Sequence, residues 1–115
     1  MKSGQRLMNL LKTRLPEILS KETDNQSSIY LYHIGEYWVA FEKSAYRLSR
    51  RYPQCNVCPL GLNGNSSHIL MASMTGLELN GTLIKSDLDY KYLKDSITIS
   101  IPDFFFDKDY SNGIK

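Results

Sequence analysis

The sequence predicts a single α/β domain, and three observations carry that expectation. Apolar residues recur at helical spacing over 3–20 and again over 41–51. Short runs rich in β-branched and aromatic residues occupy 29–34, 67–74 and 96–101. The chain has 115 residues, of which 42% are hydrophobic and 23% charged, the balance of one folded domain. A domain of this size buries about two-thirds of the surface its unfolded chain exposes, enough for a core without staples. Residues 1–115 are therefore expected to form one domain, with 103–115 as a flexible tail. No internal repeat or second domain is visible.

The first helix is expected over 3–20. Ser3 can cap it, and Leu7, Leu10, Leu11, Leu15, Ile18 and Leu19 form its apolar stripe. Pro16 should break or kink it near Arg14, because proline removes a hydrogen bond and clashes with the preceding turn. The polar run from Lys21 to Ser28 is expected to be a loop. Ile29-Tyr30-Leu31-Tyr32-His33-Ile34 suits a central strand covered on both faces. Gly35-Glu36 fits a type II′ hairpin turn that returns the chain through Tyr37-Trp38-Val39-Ala40.

Phe41, Ala45, Leu48 and Tyr52 fall three or four residues apart and predict a second helix over 41–51. Glu42, Lys43, Arg47, Arg50 and Arg51 are then available to its solvent side. Residues 53–66, rich in Asn, Gly and Pro, are expected to form a long connection, and 67–74 a buried strand. Leu77-Glu78-Leu79, Asn80-Gly81 and Thr82-Leu83-Ile84 predict a hairpin on a type I′ turn. Ser86 with Asp89 can open a short helix that includes Leu88, Tyr92 and Leu93. Ser96-Ile97-Thr98-Ile99-Ser100-Ile101 alternates and predicts a strand with one buried face, stopped by Pro102.

Fourteen basic residues face twelve acidic ones, a net charge of +2. Nucleic-acid binding is not announced by so mild an excess, but Arg47, Arg50 and Arg51 make a local basic patch. The sequence contains no G-x-S-x-G, H-E-x-x-H or phosphate-loop pattern, so no catalytic residue and no cofactor are expected. Nothing approaches 18 consecutive apolar residues, and the start lacks a secretory pattern. A cytoplasmic protein that does not cross a membrane is expected. Cys55 and Cys58 have C-x-x-C spacing and are weak metal candidates. Zinc needs four ligands, and His33 and His68 sit at no paired spacing. Thiols kept reduced in a loop are the plainer reading, with a zinc shared across an oligomer interface or a redox role as the alternatives.

Residues 32–48 carry the most informative pattern. Ile34-Gly35-Glu36-Tyr37-Trp38-Val39-Ala40-Phe41 falls without a gap on the strand and Met-Gly-Asp-Phe-Tyr-Glu-Leu-Phe segment that opens the mismatch-recognition domain of MutS-type repair proteins. Ala45 takes the place of a later alanine. Upstream, Leu15-Pro16-Glu17-Ile18-Leu19 is similar to the family's Pro-Glu/Asp-Ile-Leu, with 20–28 as an insertion. About half the chain thus resembles the N-terminal domain of the MutS family.

The resemblance implies a mixed β-sheet flanked by helices, in a stand-alone MutS-like protein. It also implies a non-catalytic nucleic-acid-binding module for DNA mismatch repair, or an accessory to a diversity-generating retroelement, working beside a separate enzyme. Duplex DNA is expected ahead of RNA. In the family, a phenylalanine stacks on an unpaired base and a glutamate two residues on hydrogen-bonds it. Tyr37 takes the stacking position, and a phenol ring stacks as a phenyl does. Val39 takes the glutamate's position and can neither donate nor accept a hydrogen bond. The expected nucleic-acid-binding residues are Tyr37, Lys43, Arg47, Arg50 and Arg51. The second reading is a protein–protein adaptor on the same fold, with Phe104, Phe105 and Phe106 as its anchor.

Overall fold

The computed structural model describes residues 3–53, 55–61, 68–85 and 89–101. Among them the chain forms α1 (Ser3–Thr23), β1 (Ser28–Ile34), β2 (Tyr37–Phe41), α2 (Glu42–Arg51) and β3 (Asn56–Gly61). It continues through β4 (His68–Thr75), α3 (Gly76–Lys85), β5 (Tyr90–Leu93) and β6 (Ser96–Ser100). The strands make one sheet in the order β3-β4-β2-β1-β6-β5.

Every pairing between the described strands is antiparallel, which corrects the mixed sheet implied by the resemblance. The reason lies in the connections. Two-residue turns join β1 to β2 and β5 to β6, and such turns permit only antiparallel pairs. Helix α2 carries the chain over to β3 as a crossover would, and β3 runs parallel to β2. Strand β4, however, lies between them and pairs antiparallel with both. The fold is α+β.

The sheet separates two cores. On one face, Ala45 and Leu48 of α2 and Leu79 and Leu83 of α3 pack on Ile29, Leu31, Ala40, Ala72, Met74, Ile97 and Ile99. On the other, Ile18 and the leucine stripe of α1 cover Tyr32, Ile34, Val39, Phe41, Ile69 and Met71. Strand β1 alternates Ile29 and Leu31 toward one core and Tyr32 and Ile34 toward the other. It is the doubly covered central strand its sequence predicts. The hairpin turn is also as expected, since Gly35 has a φ of 69° and connects Ile34 directly to its partner Tyr37.

Four expectations are overturned. Of the break or kink expected near Arg14, the break is overturned, because helix α1 is continuous through Pro16. It runs through to Thr23, taking the first residues of the expected loop with it. Its leucine stripe packs along the sheet on both sides of the proline, and that burial outweighs one lost hydrogen bond. Residues 53–66 are not a plain connection, because 56–61 pair along β4 as an edge strand. The expected hairpin over 77–84 is α3. Thr75 and Glu78 form a reciprocal capping box, with Glu78 N–H donating to Thr75 Oγ1 at 3.2 Å and Thr75 N–H to Glu78 Oε1 at 3.0 Å. Leu79 and Leu83 then fall four apart, on one buried side. The helix expected to start at Ser86 is replaced at 90–93 by β5, which finds its backbone partners on β6. Residues 86–88 lie outside the described residues, as do Phe104, Phe105 and Phe106.

Candidate functional site

Tyr37 opens β2 beside the hairpin tip. It pairs with Ile34 and Thr75, shares the α1 face with Val39 and Phe41, and is 37% exposed. Val39, at the position of the family glutamate, is fully buried in the α1 core. Trp38 points to the opposite face, where it lies 4.8 Å from the His33 ring and meets Tyr92 edge-on at 6.5 Å. The pleat thus leaves Tyr37 as an exposed aromatic ring on the α1 side of this hairpin.

The basic residues of α2 do not gather around Tyr37. Ala45 and Leu48 place α2 on the far face of the sheet from it. Lys43 is half-buried at the other end of β2, next to Leu19, Glu22 and Thr23. Arg50 is exposed and Arg51 half-buried in the last turn of α2, at the hairpin end of the sheet.

Arg47 is not on a solvated face, contrary to the sequence expectation. It is 2% exposed, and its guanidinium donates to Asn25 Oδ1 at 2.8 Å, the Ser28 carbonyl at 2.9 Å and the Gln26 carbonyl at 3.1 Å. The physical cause is the segment 24–28, whose carbonyls turn inward and require a donor. Glu22 completes this network. One carboxylate oxygen accepts from the Ser44 backbone N–H at 2.9 Å and the other from the Ser44 hydroxyl. Helix α2 has no capping side chain of its own, so Glu22 reaches across from α1 to satisfy its first turn. Burial pushes the Glu22 carboxyl above the ordinary carboxylate range, against the opposing pull of Ser44, Asn25 and Arg47. These buried groups hold the fold.

A cleft of about 390 Å³ opens on the α1 side near the hairpin. Arg6, Asn9, Thr13 and Arg14 line it from α1, Tyr32 and His33 from β1, and Asp95 from the turn between β5 and β6. The His33 N–H donates to the Asp95 carbonyl at 3.0 Å and ties that turn to β1. The Arg14 guanidinium lies 5.6 Å from the centre of the Tyr32 ring and 3.3 Å from Glu17 Oε1. Tyr32 is 2% exposed, and its hydroxyl has no hydrogen-bond partner among the described residues. Burial pushes the phenol up to about 12, so at neutral pH it is a neutral donor.

Comparison with known proteins returns no matching family model, no matching curated protein and no matching solved structure. The site is therefore assigned on its geometry.

The sequence missed Arg6, Asn9, Thr13, Arg14, Tyr32 and Asp95. A signal existed for the first three, whose spacing of three and four marks one polar stripe beside the leucines of α1. Asp95 carries no such signal, because only the β5–β6 turn brings it to the cleft. The cysteines are kept apart. Cys55 belongs to the core under α2, while Cys58 is exposed and pairs with Met71, a residue of the other core. Burial raises the Cys55 thiol, the reverse of an activated thiolate. Among the described residues no group of three or more His, Cys, Asp or Glu side chains converges on one point. No helix among them is long and apolar enough to cross a membrane.

Proposed function

We propose that this protein is a non-catalytic nucleic-acid-binding module, related in role to the MutS mismatch-recognition domain and accessory to a separate enzyme. The observation that carries the reading is the exposed Tyr37 ring at the hairpin tip, on the same face as the cleft lined by Arg6 and Arg14. A base stacks on Tyr37 while the strand's phosphates run toward the positive charge of α1. Arg50 and Arg51 add to the field at that end of the sheet. Val39 offers no hydrogen bond, so contact with bases is by stacking and favours any unpaired or unstacked base.

Fluorescence anisotropy with perfect duplex, mismatched duplex, single-stranded DNA and structured RNA, repeated across salt, tests this. Salt-sensitive binding is expected, with Tyr37→Ala about tenfold weaker, as for loss of one base–aromatic stack. A folded protein that binds none of these at low salt rules the proposal out.

A protein–protein adaptor is the second reading, favoured by β5. Tyr90, Tyr92 and Leu93 are 43%, 53% and 49% exposed, on a strand that pairs on one side only among the described residues. A partner strand could add there by main-chain hydrogen bonding.

A further inference from the structure

We propose that the cleft between α1 and β1 is a binding site for a phosphate ester. The inference deepens the nucleic-acid reading and rests on it only in part, since the cleft stands apart from the stacking ring. Its volume of about 390 Å³ falls in the range of small-molecule sites.

Four features argue for this ligand. Arg6 and Arg14 sit two helical turns apart on one side of α1, so their guanidinium groups approach the cleft from the same wall. Guanidinium is the side-chain group best matched to phosphate, since its fixed fork donates to two oxygens at once. Among the described residues Arg14 is held by its place over the Tyr32 ring and by an exposed pair with Glu17, a pairing weak enough to yield to an incoming anion. Tyr32 supplies the independent sign of a ligand. Tyr32 lines the cleft, and its hydroxyl is buried and lacks a partner among the described residues, although buried hydroxyls are almost always hydrogen-bonded. As a neutral phenol it can donate to an oxyanion.

Asp95 sets the orientation. Its carboxylate repels phosphate, so the phosphate lies against α1 and the esterified organic part toward the β5–β6 turn. There Asp95 accepts from hydroxyl or amino groups, which nucleosides carry. The same chemistry is offered by a free mononucleotide and by one phosphodiester of a nucleic-acid strand.

Calorimetric titration of the full chain with inorganic phosphate, a 5′-mononucleotide and a single-stranded oligonucleotide tests the site. Arg6→Gln, Arg14→Gln, Tyr32→Phe, Asp95→Asn and Tyr37→Ala run beside the wild type. Tyr32→Phe removes a hydroxyl that no described residue uses, so this variant keeps its fold and remains informative if an arginine variant does not. Tyr32→Phe and each arginine variant should weaken the mononucleotide about tenfold, the loss of one hydrogen bond to a charged group. Asp95→Asn should favour inorganic phosphate over the mononucleotide. If the ester comes from a strand, Arg6→Gln also lowers the salt slope of oligonucleotide binding by about one. If it is a free nucleotide, oligonucleotide binding is unchanged by these variants while mononucleotide binding falls. The site is overturned if neither ligand's affinity responds to Arg6→Gln, Arg14→Gln and Tyr32→Phe. Oligonucleotide binding lost in Tyr37→Ala alone would then leave the nucleic-acid reading standing without the cleft. Loss in the cleft variants with Tyr37→Ala unaffected would mean the converse.

Discussion

Helices α2 and α3 pack on the same face of the sheet, yet they begin in opposite ways. Helix α3 carries its own start, because Thr75 and Glu78 satisfy each other's backbone N–H groups. Helix α2 follows Phe41, which makes no side-chain cap, and opens with Glu42 at a φ of 51°, in the left-handed region. Its first turn is satisfied by Glu22 from another helix, and its Arg47 in turn holds the segment 24–28. One start is local and the other is tertiary. Local starts can be read from four residues, and tertiary ones only from the assembled fold.

The widest separation between the two modes should come from Arg47→Ala. It removes the donor to Asn25 Oδ1 and to the Ser28 and Gln26 carbonyls, and leaves the Glu22 carboxylate without its buried counter-charge. Breaking a buried charged network of this kind costs about 3–5 kcal/mol. Arg50→Ala, one turn on and exposed, should change stability by less than about 0.5 kcal/mol. Urea denaturation of both variants measures the contrast. Equal, small losses would place Arg47 back among the surface arginines and reopen it as a phosphate contact.

Glu22 sharpens the same comparison through pH. Its folded-state value is raised above 4.5 chiefly by burial, so the folded protein holds this proton more tightly than the unfolded chain does. The stabilisation from proton uptake is complete below 4.5 and is lost as pH rises through the raised value. Wild type should therefore gain stability relative to Glu22→Gln as pH falls from neutral to 4.5. A difference between the two urea midpoints that stays flat, or moves the other way, would mean that Arg47 and Ser44 outweigh desolvation at this carboxylate.

The same local-versus-tertiary divide accounts for what was legible in the sequence. Strands β1, β4 and β6, the turn at Gly35 and the existence of α1 and α2 follow from periodicity and turn chemistry. The place of Tyr37 beside the tip follows from the hairpin, and its exposure from the packed sheet. Arg47 was misplaced because its partners lie 19–22 residues upstream, on a segment that reads as a polar loop. The cleft stayed hidden because Arg6, Tyr32 and Asp95 meet only after α1 lies on the sheet. Helix α3 is a different kind of miss. Its capping box is present in Thr75-Gly76-Leu77-Glu78, but Asn80-Gly81 is also the favoured pair of a type I′ turn.

Gly81 yields the smallest expected effect. Gly81 lies inside α3, has no positive φ, and a Cβ added there would meet nothing within 4 Å. In a hairpin turn of type I′ a glycine at this position is required, and alanine would cost about 1 kcal/mol or more. In a helix the sign reverses, because alanine loses less backbone entropy on folding. Gly81→Ala should raise stability by about 0.5–1 kcal/mol. Thermal denaturation of this variant beside Gly35→Ala makes the comparison internal, since Gly35 sits at a φ of 69° in a true turn and its substitution should destabilise. Opposite signs would establish that residues 76–85 start and stay helical on their own capping box. Two losses of similar size would instead put a turn at Asn80-Gly81 and remove α3 from the contrast with α2.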